Sequence, residues 1–245
     1  MKKIWTLLFV LTAACATPNP LKEMRFIPIS GNGYTLFTTS QITLPGAPLK
    51  IYIEGDGHAF DRHGQPTDDP TPQGTFVREL AAKDTSPNVV YLARPCQYIK
   101  SNRCRVSDWT TGRYNSDAVH ATQSAILTLM KKARAEKVIL IGYSGGAQMA
   151  LFFADTYPEK VQEVITVAGV LHHEDWTAWH KDMPLSESLS SPAFASVPMR
   201  HFVGTKDDVV PVDLAEKWTD TPIKVKGASH DKGFDKIFKD IWKTK

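Results

Sequence analysis

A serine flanked by glycines is the residue of this chain best suited to nucleophilic chemistry. Residues 142–146 read GYSGG, a G-x-S-x-G sequence centred on Ser144, between an apolar run at 138–142 and a helix-like stretch at 147–156. A sharp turn between a strand and a helix lifts a serine hydroxyl clear of a sheet, and the glycines leave room for that turn. The Gly145 amide would start the helix, where it can donate to a developing oxyanion. The alternative is a glycine-rich turn that contains an ordinary serine.

A serine of this kind needs a histidine to take its proton and an acid to hold that histidine. Asp207 follows an apolar run at 199–203, and His230 follows another at 223–225. The order serine, acid, histidine is the one that accompanies this type of serine turn. Asp208 is the neighbouring alternative for the acid, and a solvent-exposed loop histidine is the alternative for His230.

Apolar residues recur at strand spacing in some segments of the chain and at helix spacing in others, and the two kinds of segment alternate. The strands and helices that they predict would position these residues. Short β-branched or apolar runs bounded by Gly, Pro or Ser predict strands at 49–53, 88–93, 138–142, 161–170, 199–203 and 223–225. Helical spacing predicts helices at 76–82, 116–135, 147–156 and 234–242. Strands that alternate with helices predict an α/β fold, a mostly parallel twisted sheet with helices on both faces. The runs 25–29 and 34–38 predict an antiparallel hairpin at the sheet edge.

The length and composition predict one domain. The chain has 245 residues, of which 42% are hydrophobic and 22% charged, as in an ordinary globular protein. We expect this domain to span residues 25–245. Its least regular stretches, 55–75 and 171–197, both follow predicted strands. They should therefore lie at the carboxyl edge of the sheet, where open α/β folds bind ligands.

From the strand at 49–53 to the terminal helix, the chain resembles the α/β-hydrolase superfamily. In that family the acid is typically an Asp that follows a Gly by a few residues and is itself followed by any residue, two apolar residues and a Pro. Asp207 fits this register in GTKDDVVP at 204–211. The resemblance implies a serine hydrolase without a cofactor. It would cleave a carboxylic ester or related acyl bond of a small-molecule substrate through a Ser144, His230 and Asp207 triad and an acyl-enzyme.

The resemblance also implies a second oxyanion donor in the loop after the strand at 49–53. That loop reads EGDGH at 54–58, with Glu54 where the family has a histidine. An acid beside a developing negative charge is unhelpful unless it points away and is hydrogen-bonded. We assign the second donor to the backbone amide of Asp56, with Gly57 as the near alternative. A phosphate cradle is the competing interpretation, but the loop lacks the Lys and Ser/Thr of a P-loop.

The stretch 171–197 is predicted to form a short cap that shapes the substrate pocket with its aromatic side chains. A metal cluster is the alternative, because four potential ligands occur there: His172, His173, Asp175 and His180. Their spacing fits no common ligand motif, so we predict no metal site. Elsewhere we interpret three arginines as structural or rim charges rather than substrate clamps: Arg94, Arg103 and Arg113.

The N-terminus has the layout of a secretory signal. Lys2 and Lys3 precede an eight-residue apolar run at 4–11, which is too short to cross a bilayer, and TAAC follows at 12–15. Small residues before Cys15 resemble the lipobox of bacterial lipoproteins, which implies a signal peptide at 1–14, an acylated Cys15 and a tether at 15–24. An ordinary signal peptide with an incidental cysteine is the alternative.

Export would place the remaining cysteines in an oxidising compartment. Cys96 and Cys104 are close in sequence and without a set of further metal ligands nearby, so we predict a disulfide. Cleavage before Cys15 removes two lysines and no acids, which lowers the net charge from +3 to +1. No basic cluster then argues for nucleic acid. The predicted location is the bacterial cell envelope, with the protein held by Cys15 on the outer membrane, facing the periplasm.

A second hypothesis comes from a different class of function. An α/β-hydrolase fold can serve a non-catalytic envelope lipoprotein that binds a ligand or a partner, because fold does not dictate function. The complete set of Ser144, Asp207 and His230 favours the enzyme, since a decayed enzyme would be expected to have lost at least one of them.

Overall fold

The computed structural model describes residues 24–242, and the predicted signal peptide, Cys15 and most of the tether lie outside them. The strands are numbered in chain order: β1 (Arg25–Phe26), β2 (Ile29–Gly31), β3 (Tyr34–Leu36), β4 (Thr38–Ile42), β5 (Leu49–Ile53), β6 (Asn88–Leu92), β7 (Val138–Tyr143), β8 (Val161–Val167), β9 (Met199–Gly204) and β10 (Ile223–Val225). Among the described residues, no helix is both long and apolar enough to cross a membrane.

The α-helices lie between these strands and after the last of them. They are α1 (Phe76–Lys83), α2 (Ser116–Ala133), α3 (Gly146–Thr156), α4 (His173–His180), α5 (Val212–Ala215) and α6 (Phe238–Trp242). Short 3₁₀ turns cover Val106–Trp109, Pro158–Lys160 and Phe234–Ile237. The stretch 171–197 contains α4 followed by irregular backbone.

The main sheet has eight strands in the order β1-β4-β6-β5-β7-β8-β9-β10. In this order, each strand from β6 through β5 to β10 is parallel to its neighbour. Strand β4 is antiparallel to β6, and β1 is antiparallel to β4. This is the predicted α/β-hydrolase architecture. Since parallel strands end at the same edge, the loops after β5, β7, β9 and β10 converge there.

The predicted edge hairpin is only partly correct. Strands β2 and β3 form a separate two-stranded sheet, with Ile29 opposite Leu36, and both side chains are buried. The antiparallel strands of the main sheet are β1, which pairs with β4, and β4, which pairs with β6 and has the sequence TTSQI. Because β4 is mostly polar, it contains no apolar run, and the sequence pattern did not predict it as a strand. Thr38, Thr39 and Ser40 are nevertheless buried there.

Alternate residues of the central strands pack into two hydrophobic cores, one on each face of the sheet. Ile51 and Leu140 belong to the core that includes residues of α2 and α3. Tyr52 and Ile141 belong to the core that includes residues of α1 and the C-terminal segment. Each strand is therefore buried on both faces, which explains its nearly continuous apolar sequence. Lys50 in β5 is a buried polar exception, and its ammonium pairs with Asp84 at 3.4 Å.

Cys96 and Cys104 form the predicted disulfide, with their Cα atoms 5.7 Å apart. The bond closes a loop directly after β6 and beside the end of β5. Two residues in its neighbourhood reach the loop after β5: Arg94 contacts the Asp56 carboxylate, and Gln97 contacts the Gly55 carbonyl. The disulfide therefore braces a segment that belongs to the carboxyl edge of the sheet.

Replacing both Cys96 and Cys104 with serine is expected to lower the free energy of unfolding by about 2–3 kcal/mol, the chain-entropy value for so short a loop. Urea unfolding followed by tryptophan fluorescence would measure the change. Wild-type protein unfolded with an excess of reductant should reproduce the variant's midpoint. An oxidised wild type and a variant with equal midpoints would contradict the stabilising role.

Candidate active site

Ser144 occupies a strained turn between β7 and α3. Its φ of 48° lies in the left-handed region that non-glycine residues seldom adopt. The turn is fixed by backbone bonds, since the Ser144 amide donates to the Val167 carbonyl at 3.1 Å. A Cβ on Gly142 would lie 2.5 Å from Ala147 Cα, and one on Gly146 would lie 2.5 Å from the Ile53 carbonyl oxygen. Both glycines are therefore required by close packing around the serine.

His230 bridges Ser144 and Asp207. Its Nε2 lies 2.9 Å from Ser144 Oγ, and its Nδ1 lies 3.0 Å from Asp207 Oδ2. A histidine protonated on Nδ1 donates to the carboxylate and accepts the serine hydroxyl on Nε2, which satisfies both contacts. The buried Asp207 is itself oriented, because its Oδ1 accepts the amides of Val209 and Val210, each at 2.9 Å.

Asp208 points elsewhere. It is exposed, whereas its neighbour Asp207 is buried and faces His230. The family register that favours Asp207 and the contacts around His230 therefore agree. The arrangement can pass the Ser144 proton to His230 while Asp207 stabilises the resulting imidazolium.

Backbone amides in the serine turn and in the loop after β5 are available as hydrogen-bond donors. No described residue accepts a hydrogen bond from the amides of Gly145 or Asp56. Gly145 immediately precedes α3, so its amide carries the positive end of the helix dipole. The Gly57 amide has no acceptor among the described residues either. The Gly55 amide differs, because the Glu54 carboxyl accepts it at 2.9 Å.

The Asp56 carboxylate lies against the serine turn and between two arginines. Arg94 Nη1 donates to Oδ1 at 3.0 Å, and Arg113 Nη1 donates to Oδ2 at 2.5 Å. Burial alone would raise the pKa of Asp56, but the positive charges of Arg113 and Arg94 outweigh it and hold this pKa below its ordinary value. A Cβ on Gly145 would collide with Oδ1, 2.1 Å away, so this position also needs glycine.

The three arginines considered in the sequence have different surroundings. Arg94 and Arg113 are buried and hold Asp56, which is the structural role expected of them. Arg103 pairs with Asp117 at the surface. Sequence reasoning did not place Arg94 and Arg113 at the site, because nothing in their local sequence reports that the chain folds back to Asp56.

Glu54 turns its side chain away from bulk solvent. It is 4% exposed, and its Oε2 accepts the Tyr91 hydroxyl at 2.8 Å. Burial raises the pKa of Glu54 to about 7, against the opposing effects of the Gly55 amide, the Tyr91 hydroxyl and two arginines. The acid in the family's histidine position is thus hydrogen-bonded, as we required of it.

Ser144 and His230 open into a cleft of about 840 Å³. Four aromatic side chains contribute to its walls: Phe60, Phe76, Tyr143 and Trp176. Trp176 comes from α4, and its indole Nε1 donates to the Val209 carbonyl at 2.8 Å. The predicted cap segment therefore contributes a wall of the cleft and is anchored beside the Asp207 turn.

The histidines of the cap segment are engaged separately. His172 stacks on Trp218 with ring centroids 4.0 Å apart, whereas His173 and His180 each contact a backbone carbonyl oxygen through Nε2. Asp175 accepts the Trp218 indole at 3.0 Å. Within residues 24–242, no three His, Cys, Asp or Glu side chains lie together as metal ligands would.

Comparisons with known proteins agree with this fold. A family model described as "alpha/beta hydrolase fold" matches residues 58–194, more than half of the chain. No curated protein shows significant sequence similarity to the chain.

Several solved structures share the fold. A serine hydrolase homologue from Coxiella burnetii has a TM-score of 0.57 at 17% identity, covering 89% of this chain and 93% of its own. Est1E from Butyrivibrio proteoclasticus with bound ferulic acid has a TM-score of 0.60 at 13% identity, covering 88% and 96%. A serine hydrolase without a lid from Xanthomonas campestris has a TM-score of 0.53 at 16% identity, covering 92% of each chain. At these identities the likeness concerns the fold.

Proposed function

Since the chain belongs to the α/β hydrolase fold family, we propose that it is a serine hydrolase that cleaves a carboxylic ester or related acyl bond. The observation that carries this proposal is the row of hydrogen bonds from Ser144 through His230 to Asp207, at 2.9 Å and 3.0 Å. This row ends in an accessible cleft, and the amides of Gly145 and Asp56 lie beside it without acceptors among the described residues.

The reaction would proceed in two acyl-transfer steps. His230 Nε2 takes the Ser144 hydroxyl proton as Oγ attacks the substrate carbonyl carbon, and Asp207 stabilises the imidazolium. The Gly145 and Asp56 amides hold the oxyanion. Collapse of the tetrahedral intermediate breaks the ester bond, and His230 returns its proton to the departing alcohol. Water, deprotonated by His230, then attacks the acyl-serine, and the acid is released as His230 returns the proton to Ser144 Oγ.

The walls of the cleft support a substrate with a flat or apolar part. Phe60, Phe76, Tyr143 and Trp176 present ring surfaces near Ser144, and such surfaces favour apolar and aromatic groups. The structural neighbour Est1E, described with ferulic acid, has the same fold. Short aryl esters are therefore the first substrates to test.

A fluorophosphonate probe gives the direct test. Purified protein is expected to bind it covalently, and the adduct should appear in the tryptic peptide 138–160, in which Ser144 is the sole serine. The same preparation should hydrolyse p-nitrophenyl acetate. Protein that neither takes up the probe nor hydrolyses short aryl esters would reject the enzyme and leave the non-catalytic, ligand-binding lipoprotein.

Attachment to the cell envelope is a separate part of the proposal, supported by the sequence of residues 1–15. We propose export, cleavage before Cys15 and acylation of its thiol and new amino group, which together bury enough methylenes for stable anchoring. The eight residues between Cys15 and Met24 could reach about 30 Å when extended, enough to keep the domain clear of lipid headgroups.

Cys15→Ser is expected to move the protein from the membrane fraction to the soluble fraction, because the acylated thiol is lost. Mass spectrometry of the wild type should find an acylated N-terminal Cys15. Esterase activity per molecule on a soluble substrate should be equal for the two proteins. A wild-type N-terminus that is unmodified, or that begins at another residue, would refute lipidation.

A further inference from the structure

The loop after β5 is held by two buried side chains outside the Ser144, His230 and Asp207 row. Glu54 Oε1 accepts the Gly55 amide at 2.9 Å, and Gln97 Nε2 donates to the Gly55 carbonyl at 2.9 Å. Both polar backbone groups of Gly55 are thus fixed. Glu54 and Gln97 are almost fully buried, with exposed fractions of 4% and 1%, so water competes weakly for these bonds.

Gly55 lies against the proposed nucleophile. A Cβ on Gly55 would stand 3.1 Å from Ser144 Cβ, so the backbone at this point packs directly on the serine. The Gly55 carbonyl and the Asp56 N–H belong to one planar trans peptide, and they point in opposite directions. By holding the carbonyl, Gln97 fixes the direction of the Asp56 N–H.

We propose that Glu54 and Gln97 are positioning residues that clamp the two peptides around Gly55 and present the Asp56 N–H to the oxyanion formed at Ser144. This inference rests on the proposed acyl-transfer reaction. It gives Glu54 a reason to stand where the family has a histidine, and it gives Gln97, placed next to the disulfide, a link to the reaction.

The ionisation of Glu54 should give kcat a pH dependence that a purely structural role of this side chain would not give. Its carboxyl is faced by Arg78 from α1 and Arg94 after β6, and by three hydroxyls: Tyr91, Tyr98 and Tyr143. Because burial raises the pKa of Glu54 to about 7, it is neutral at pH 6 and ionised at pH 8. The neutral acid accepts the Gly55 amide without placing a negative charge beside the oxyanion, whereas the ionised acid opposes that charge.

The first experiment compares Glu54→Gln with the wild type on p-nitrophenyl acetate between pH 5.5 and 9. Glutamine keeps an acceptor for the Gly55 amide and never ionises. The ratio of variant to wild-type kcat should be near one below pH 6 and rise to about tenfold above pH 8, with KM changed less than about twofold. Taking the ratio removes the pH effects that the two proteins share.

The second experiment removes the hydrogen bonds of the Gln97 side chain, to the Gly55 carbonyl and from the Arg94 amide. Gln97→Met is expected to lower kcat about 30- to 100-fold, with KM changed less than about threefold, because the Asp56 amide loses its fixed direction. Gln123→Met is the matched control. Gln123 is also buried and donates through Nε2, to the Phe152 carbonyl and Thr156, away from the cleft residues. It should lose comparable thermal stability and keep kcat within about twofold.

The results separate this inference from the proposed function. Hydrolysis by the wild type tests the function alone. With an active wild type, a kcat ratio that stays flat across pH would overturn the role of Glu54. A kcat loss in Gln97→Met no larger than in Gln123→Met would overturn the role of Gln97. If Gln97→Met does not fold, Gln97→Glu provides the second measurement, because its carboxylate can still accept the Arg94 amide but cannot donate to the Gly55 carbonyl, and the same loss of kcat is expected.

Discussion

Ser144→Ala is expected to lower kcat on p-nitrophenyl acetate by about 10⁵- to 10⁶-fold and to abolish fluorophosphonate labelling. The change deletes the Oγ that lies 2.9 Å from His230 Nε2 and that would form the acyl-enzyme. What remains should be the weak stabilisation that the Gly145 and Asp56 amides give to direct attack by water. Steady-state kinetics and intact-protein mass spectrometry would measure both effects.

The control for this variant is Ser116→Ala, an exposed serine at the start of α2. It should label and hydrolyse as the wild type does. Thermal unfolding should show that Ser144→Ala is as stable as the wild type to within about 1 kcal/mol, because alanine keeps the Cβ and adds no atom. Full activity in Ser144→Ala would remove the proposed nucleophile.

Asp207→Asn should cost about 10³- to 10⁴-fold in kcat, and its cause can be worked out from the contacts. The amides of Val209 and Val210 donate to Oδ1, so an asparagine would keep its carbonyl oxygen there. Its amide nitrogen would then face His230 Nδ1 and donate to it. The imidazole would carry its proton on Nε2 instead, and it could no longer accept the proton of Ser144.

Asp208→Asn is the matched control for this effect. It makes the same chemical change one residue away, on an exposed side chain, and kcat should change less than about twofold. The pair separates loss of the acid from a general loss of negative charge in the turn. Full activity in Asp207→Asn combined with a large loss in Asp208→Asn would move the acid to the neighbouring residue.

The central parallel strands of the sheet could be predicted from the sequence because they are buried on both faces. Such strands are short apolar runs, as at 49–53 and 138–142, and their detection needs little knowledge of the rest of the fold. Strand β4 shows the limit. Its TTSQI sequence pairs through its backbone with β1 and β6, and no apolar pattern announces that pairing.

Some residues of the site could likewise be predicted from the sequence, and others could not. Ser144, Asp207 and His230 were predicted to meet because each follows a parallel strand, and the structure brings them within hydrogen-bonding distance. Their catalytic roles stay predictions. Arg94 and Gln97 could not be placed, since their contacts with the loop after β5 depend on how the chain turns after β6. Such long-range polar contacts leave no periodic signal in a sequence.

The left-handed backbone of Ser144 has a consequence for protein engineering. A φ of 48° costs a serine about 1–2 kcal/mol that a glycine would not lose, and Ser144→Gly would also delete the hydroxyl. Stability and chemistry thus favour different residues at the same position. A variant library selected for heat resistance alone would enrich inactive glycine at this turn, so each round of selection must also require turnover.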